Sequence, residues 1–513
     1  MKNLTITKPQ GINFSFVGNL CDDGVWSGGS AWSDKFVLQK SVLDISCCSN
    51  FLSGKQRIFV SINYYFDYEG SRYEEGFIEN NNSDLFKDTK PPYNPGKTGL
   101  PNVYITTDNS QSIEWSWIDG DVKITSNGGK VLLNNCSAKF KVRGNSTAGT
   151  AKKPYSIKFD SKQEVLGMSK NKHWVLLANY YDRSQVRTRL SAYLGNEIYN
   201  STWNASFKPA NLYVNGNYCG TYDIGEKIKI GKNRVNIQSI EDYQESSYKD
   251  VNGDGLINLE DGGFIAEIDF RNGEAHHFYS NEYHLPFNLR DPDELDNDQF
   301  EYAKAKINAV EAMLKADDFA DHYKDYIDQN SMIDWWIVNE FSRNNDAIFQ
   351  TSVYMYYNPA DGKMYMGPGW DYDLAFGNYW DMYSYEGFYI YGEKKAKGDD
   401  DPTYNVPGID QFYTSYWLNR LFEVPEFKAA AKARWQQKSA ALNNAINVKI
   451  QNFADEIAPS IPCNEYILPR LGVYEWNGPN DYDKRTTYKA EVDYLIWWCQ
   501  NRYNWMNSEI ANF

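Results

Sequence analysis

The chain is poor in the residues that usually announce an active site. Five histidines, scattered apart from the adjacent His276-His277, leave no pattern for histidine catalysis. Seven cysteines include one neighbouring pair, Cys47-Cys48, but no CxxC and no zinc spacing. An odd, sparse set argues against a disulfide scaffold. No apolar run reaches the roughly 20 residues of a membrane span, and the start, Met1-Lys2-Asn3-Leu4-Thr5, lacks the apolar stretch of a secretory leader. A cytosolic protein and one whose leader has been removed both fit. Cations are outnumbered: 52 Lys and Arg against 68 Asp and Glu leave a net charge of −16. That field opposes nucleic acid and anionic lipid and favours basic protein partners.

What is present is bulk and aromaticity. At 513 residues the chain exceeds a typical single core, and 42% hydrophobic residues suffice for two or three. The 40 Tyr and 16 Trp serve equally in large cores and in glycan stacking, so composition does not choose between them. Alternating runs such as Arg57-Ile58-Phe59-Val60-Ser61-Ile62 mark residues 1–97 as a β-rich module. The polar stretch Lys90-Pro91-Pro92-Tyr93-Asn94-Pro95-Gly96 reads as its boundary. Strands dominate from there to about residue 290, interrupted by a helix predicted over Asp182 to Asn196 from Val186, Leu190, Tyr193 and Leu194. Beyond residue 291 helical spacing takes over. Phe300, Ala303, Ile307, Val310 and Leu314 line one face, Ser331 and Asp334 open another helix, and Val492 to Met506 form an amphipathic last one. Strands first and helices second is an α+β order, with two lobes, 98–290 and 291–513, and a cleft between them.

Chemistry concentrates in two acidic stretches, Asn344-Asn345-Asp346 and Trp370-Asp371-Tyr372-Asp373-Leu374-Ala375-Phe376-Gly377. They flank a hairpin that turns at Asp361-Gly362. Asp346 and Asp371 therefore fall at neighbouring strand ends, where carboxylates can hold a divalent metal and deprotonate a hydroxyl. Upstream, Arg143-Gly144-Asn145-Ser146-Thr147-Ala148-Gly149 is a small polar turn whose amides can approach phosphate, although no Walker pattern is present. The strand after it, Lys153-Pro154-Tyr155-Ser156-Ile157-Lys158-Phe159, offers Lys158, with Lys153 as fallback, as a phosphate-pairing cation.

Glycine turn, strand lysine, helix, two strands, helix, Asp346, hairpin and Asp371 follow the order of parts in protein-kinase phosphoryl transfer. With Leu166-Gly167-Met168, Trp174-Val175-Leu176-Leu177-Ala178-Asn179-Tyr180, Leu212-Tyr213-Val214-Asn215-Gly216, Gly220-Thr221-Tyr222, Glu226-Lys227-Ile228 and Trp336-Ile337-Val338-Asn339-Glu340, these motifs resemble the CotH (spore coat protein H) kinase-like family from about residue 100 onward. The resemblance implies a two-lobed atypical protein-kinase-like fold using ATP and Mg2+ or Mn2+ to phosphorylate protein Ser or Thr. It also implies a Ser-rich, basic substrate and a bacterial extracellular or cell-surface setting, a cytoplasmic one remaining open. It makes Asp346 the base and Asp371 a metal ligand, with Asp373 a second metal contact. Lys158 becomes the phosphate partner, and Arg143, Gly144, Asn145, Ser146, Lys153 and Glu226 belong to the nucleotide cleft. Two features depart from the pattern. Thr351 and Ser352 stand where kinases place a metal-binding Asn, and Glu197 is only a poor match for the helix glutamate that pairs with the strand lysine. A protein on the same fold that binds a glycan or protein partner without turnover is therefore the alternative, and glycoside hydrolysis by Asp346 and Asp371 a third reading.

A separate insertion, residues 248–263, holds Asp250-Val251-Asn252-Gly253-Asp254-Gly255-Leu256-Ile257-Asn258-Leu259-Glu260-Asp261. Its spacing fits a calcium loop with ligands Asp250, Asn252, Asp254, the Leu256 carbonyl, Asn258 and Asp261. The closing Asp resembles dockerin-like loops.

Overall fold

Apolar–polar alternation builds the sheets of this protein, and a computed structural model defines how they pair. It describes residues 98–513 except 272–274, 382 and 400, together with the backbone of five earlier strands. The chain divides into two units. Met1–Thr98 with Ser460–Arg470 form one, and Gly99–Pro459 with Leu471–Phe513 form the other. In the first, β1 (Lys2–Asn3) pairs with β2 (Gln39–Lys40), and β3 (Val42–Ser46), β4 (Gln56–Tyr65) and β5 (Ser71–Asn80) make an antiparallel sheet. The Pro/Gly-rich residues 90–97 and the side chains expected to meet a glycan lie outside the described residues.

The second unit is mixed α and β. Its strands β6 (Asn102–Thr107), β7 (Ile118–Thr125), β8 (Val131–Val142), β9 (Tyr155–Val165), β10 (Met168–Leu177), β11 (Phe207–Val214) and β12 (Asn217–Glu226) close into a barrel. The order is β10-β12-β11-β6-β7-β8-β9; β11 and β6 run parallel and the other neighbours antiparallel. Because side chains alternate across a strand, Val103, Val122, Phe140, Ile157, Trp174, Leu212 and Ile224 fill the interior and are fully buried. Their partners at odd steps form the outer face. A five-stranded antiparallel sheet follows: β13 (Phe264–Ile268), β14 (His277–Tyr279), β15 (Pro286–Asp291), β16 (Val353–Asn358) and β17 (Lys363–Met366), in the order β14-β15-β13-β16-β17.

Nine helices are described: α1 (Arg187–Ile198), α2 (Asn297–Lys315), α3 (Phe319–Tyr326), α4 (Gln329–Ser342), α5 (Tyr416–Leu421), α6 (Pro425–Asn444), α7 (Ile450–Ile457), α8 (Ile461–Ile467) and α9 (Tyr488–Ile510). α8 lies in the first unit. None is long and apolar enough to cross a membrane. Helix α1 starts five residues later than its periodicity predicts. The Asp182 carboxylate accepts from the amides of Ser184 (3.0 Å) and Arg187 (2.8 Å), which holds 182–186 in a turn. Helix α4 is capped by Asp328, whose carboxylate accepts from Ser331 N at 2.6 Å, so Ser331 sits inside the helix.

A buried ion pair fastens α4 to α9. Glu340 and Arg502, both inaccessible to water, meet at 2.7 Å. The same carboxylate accepts from the amides of Tyr389, Ile390 and Tyr391 at 2.7–3.0 Å. Removing one partner strands a charge in the interior, which costs about 3–5 kcal/mol. Glu340→Ala is therefore expected to lower stability by about that amount, read as a shift of the urea midpoint at unchanged slope.

Candidate active site

A cleft of about 530 Å³ lies among the barrel's outer face, helix α1, the five-stranded sheet and the two acidic loops. Its first wall is the β8–β9 turn. Arg143 N donates to Pro154 O at 3.1 Å and closes the hairpin. Gly144 takes a φ of +86°, and a Cβ there would stand 2.7 Å from Thr147 Oγ1, so a side chain has neither the backbone conformation nor the space. Arg143, Gly144, Asn145, Ser146 and Thr147 all line the cleft.

The opposite wall is acidic. Helix α4 ends at Arg343, in the left-handed region at φ 45°, and the chain turns into the short helical turn Asn345–Ala347 that carries Asp346. Asn345 holds this turn: its carbonyl accepts from Tyr389 OH (2.8 Å), its side-chain oxygen accepts from Lys395 (2.7 Å), and its amide donates to Asp346 (2.9 Å). The β16–β17 hairpin then delivers Trp370-Asp371-Tyr372-Asp373. Gly369 N donates to Asn204 Oδ1 at 3.0 Å, and a Cβ on Gly369 would meet Tyr372 OH at 2.7 Å. Asp371 at φ 62° and Ser352 at φ 58° are non-glycine residues held in the left-handed region, a strain of about 1–3 kcal/mol each that functional sites often retain. From α1, Arg187 Nη1 pairs with Asp182 at 2.6 Å and its other nitrogens donate to Ala375 O and Phe376 O, which fixes the backbone just after the acidic motif.

The carboxylates are crowded. Burial, then repulsion from Asp371, pushes Asp346 up to about 7, against the pull of Lys395 and Arg271. Burial also raises Asp371, which faces the cleft's water while protein surrounds it otherwise; Arg143, Arg271 and hydrogen bonds from Asp373 and Ser352 oppose the rise. Asp373 is raised well above its ordinary value by burial and then by Asp371 and Asp346. Beside them are cations already engaged. Arg143 lies 5.3 Å over the Trp370 ring, Arg271 donates to Thr351 Oγ1 at 3.1 Å, and Arg290 pairs with Glu267 at 3.1 Å. Trp370 is flanked by Phe207 and Tyr354, giving the cleft an aromatic side.

The sequence-derived residues Arg143, Gly144, Asn145, Ser146, Asp346, Asp371 and Asp373 therefore share one cleft. Lys158, Lys153 and Glu226 are not among its lining residues. Lys158 is on the correct face of β9 but one rung beyond the cleft, and exposed. Lys153 points to Glu114 at 3.8 Å. Glu226 turns inward, pairing with Arg234 at 2.6 Å and accepting from Ser206 N at 3.0 Å; its neighbour Lys227 reaches the cleft instead. Glu197 is exposed on the far turn of α1. Sequence reasoning passed over Lys227, Glu267, Asp269, Arg271, Asn288 and Arg290. Apart from Lys227, which sits inside a quoted motif, these have no local signature and meet only because β15, β13 and β16 are neighbours.

Among the described residues no group of three or more His, Cys, Asp or Glu side chains is arranged to hold a metal ion unaided. Asp371 and Asp373 nevertheless suit a hard divalent cation. They are oxygen donors without an ion pair among the described residues, and they hydrogen-bond each other, which requires a proton that a cation would replace. Such an ion takes its remaining oxygens from phosphate and water. In the 250–261 loop the side chains are engaged by amides: Asp250 accepts from Gly253 and Gly255, Asn252 from Asp254, Asp254 from Leu256, and Asn258 from Glu260. Buried Asp261 closes the loop by accepting from Val251, Asn252 and Asn258.

A carboxyl whose folded pKa is raised stabilises the protein below its unfolded value, near 4, and loses that contribution as pH rises through the folded value, here about 7. Asp346→Asn cannot ionise. In metal-free buffer it should be more stable than the parent by about 0.5–2 kcal/mol at pH 8, the gain shrinking towards pH 5, as read by thermal melts across that range.

The model of the family described as CotH kinase protein matches residues 140–506. That span contains the β8–β9 turn, helix α1, both acidic loops and every cleft residue named above. No curated protein matches the chain. The chain belongs to the CotH kinase protein family.

Proposed function

We propose that the cleft binds ATP with Mg2+ or Mn2+ and transfers the γ-phosphoryl group to a Ser or Thr hydroxyl of a protein. In this reading the barrel with α1 is one lobe of a kinase-like pair and the five-stranded sheet with its helices the other. The observation that carries it is the meeting of the Arg143–Thr147 turn with Asp346, Asp371 and Asp373 in a single cleft. Backbone amides of Gly144 to Thr147 cover the phosphates, and the Arg143 guanidinium supplies charge beside them. Trp370, with Phe207 and Tyr354, offers the nucleobase a face to stack on. Asp371 and Asp373 hold the metal, which when bound neutralises charge on the phosphate oxygens. Asp346 orients the acceptor hydroxyl and takes its proton, a task for which a carboxyl lifted towards neutrality is suited.

One observation favours the second reading, a binding protein on the same fold without turnover. Thr351, at the expected metal-binding position, is engaged by Arg271 at 3.1 Å. Ser352 instead hydrogen-bonds Asp371, which leaves a hydroxyl where kinases use an amide. Incubation with γ-labelled ATP, Mn2+ or Mg2+ and a Ser-rich protein separates the two. Label transfer is expected, lost in Asp371→Ala and reduced about 10²–10⁴-fold in Asp346→Asn. Nucleotide binding with no transfer supports the second reading, and sugar release from polysaccharides would replace both.

We further infer that the 250–261 loop takes calcium, since its oxygen donors follow calcium-loop spacing and Gly255 provides the turn at φ 85°. An extracellular setting, rich in calcium, suits such a site. Calorimetry should detect one calcium per chain, lost in Asp254→Ala; no heat with the parent protein rejects the site.

A further inference from the structure

A cation reaches Asp346 from outside both acidic loops. Burial and Asp371 make this carboxyl hard to ionise, and Lys395 and Arg271 act against them. Arg271 lines the cleft and is engaged by Thr351. Lys395 is not a lining residue. It is half-buried on β18 (Lys395–Ala396), which pairs with β19 (Phe412–Tyr413) in a two-stranded sheet of its own. The ribbon is closed by Lys397 N donating to Gln411 O and Thr414 Oγ1 donating to Glu393 O, both at 2.9 Å. Tyr413, opposite Lys395, packs its ring against Phe270 at 6.2 Å, and Phe270 carries Arg271 over its own ring at 4.4 Å. Lys395 and Arg271 thus share one support.

The path from Lys395 to Asp346 runs through one buried amide. Asn345 is 4% exposed. Its Oδ1 accepts from Lys395 Nζ at 2.7 Å, and its Nδ2 donates to Asp346 Oδ1 at 2.9 Å. An amide can present either end to a neighbour, but an ammonium group has only donors. Lys395 therefore takes the amide oxygen and turns the NH2 towards the carboxylate. With the amide reversed, an oxygen would face Asp346, and an ionised carboxylate has no hydrogen to give it. The two could then bond only through a proton on Asp346, and a protonated carboxyl cannot take one from a hydroxyl. In the observed sense the carboxylate is an acceptor. Asp346 lines the cleft, and its Oδ2 receives no hydrogen bond from a described residue, so that oxygen is left for a hydroxyl. We propose that Lys395 is a positioning residue for Asp346: acting through Asn345 from outside the cleft, it fixes the sense of the amide and holds the carboxylate ready to accept.

The effect on transfer rests on the phosphotransfer reading; the coupling of Lys395 to Asp346 does not, and the two are measured separately. Thermal melting of the full chain at pH 8 in metal-free buffer reads the coupling. Lys395→Met should lower the melting temperature of the parent. In an Asp346→Asn background the neighbour of Asn345 is a neutral amide that accepts either end, and the same change should cost less than about half as much. Asp381, on which Lys395 also acts, is common to both backgrounds and cancels in the comparison. An equal loss in the two backgrounds, or no loss in the parent, overturns the proposal. Transfer of label from γ-labelled ATP reads the consequence. Lys395→Met should lower kcat about 10- to 100-fold at unchanged KM for ATP, and Lys395→Arg, which keeps a donor-only cation, should restore most of the rate. An unchanged kcat, a loss carried by KM for ATP, or no recovery with Arg overturns the proposal as well. Melting of the expected kind in a parent that transfers no label keeps the positioning role and overturns the phosphotransfer reading alone.

Discussion

Arg187 joins helix α1 to the backbone that follows the acidic motif, and this helps to fix where the carboxylates stand. Its guanidinium is buried, paired with Asp182, and satisfied by the carbonyls of Ala375 and Phe376. A charge in that position is tolerated only while every partner is present, because a missing one leaves an unsolvated ion. The backbone after Asp373 therefore has little freedom. Glu340 and Arg502 impose the same condition on the other side, where α4 leads into the turn that carries Asp346. Two interior ion pairs, neither touching the cleft, fix the two acidic loops relative to each other.

That rigidity has an electrostatic consequence. Asp346, Asp371 and Asp373 are held close although Asp371 raises the cost of ionising both others and Asp346 that of Asp373. In an unconstrained loop they would separate into water. Here the backbone keeps them together, with Asp371 and Ser352 in the left-handed region as a further sign that local comfort has been set aside. A site organised before its ligand arrives has no reorganisation left to do when charge develops. Asp371 and Asp373 hydrogen-bond each other within this arrangement. The same arrangement would be a liability in a protein that used these residues only for structure.

The legible part of this site was its short-range part. Asp346, Asp371 and Asp373 sit in contiguous motifs on either side of one hairpin, and Arg143 to Ser146 in one turn, so spacing along the chain was enough to bring each group to the cleft. Lys158 marks where that reasoning ends. Period-two alternation identifies the face of β9 that roofs the cleft, but not where along that face the cleft stops, since this depends on which distant elements stand against it. Glu226 fails by one residue: at the end of β12 its side chain turns inward to Arg234 while Lys227 points out. The barrel itself depends on the parallel β11–β6 contact, a pairing more than a hundred residues apart. Glu267, Asp269, Asn288 and Arg290 come to the cleft through sheet order alone, and no motif announces them. Helix α1 was visible by period, yet its start moved because the Asp182 side chain competes for the first amides.

The account depends on the acidic trio and the Arg143 turn acting on one ligand from opposite sides. A crystal grown with Mn2+ and a non-hydrolysable ATP analogue tests this directly through the anomalous signal of the metal. The account predicts a manganese peak bound by Asp371 and Asp373, with the phosphates beneath the amides of residues 144–147 and the Asp346 carboxylate facing the terminal phosphate. Manganese confined to the 250–261 loop, or a nucleotide lodged away from the turn and the aspartates, would contradict it.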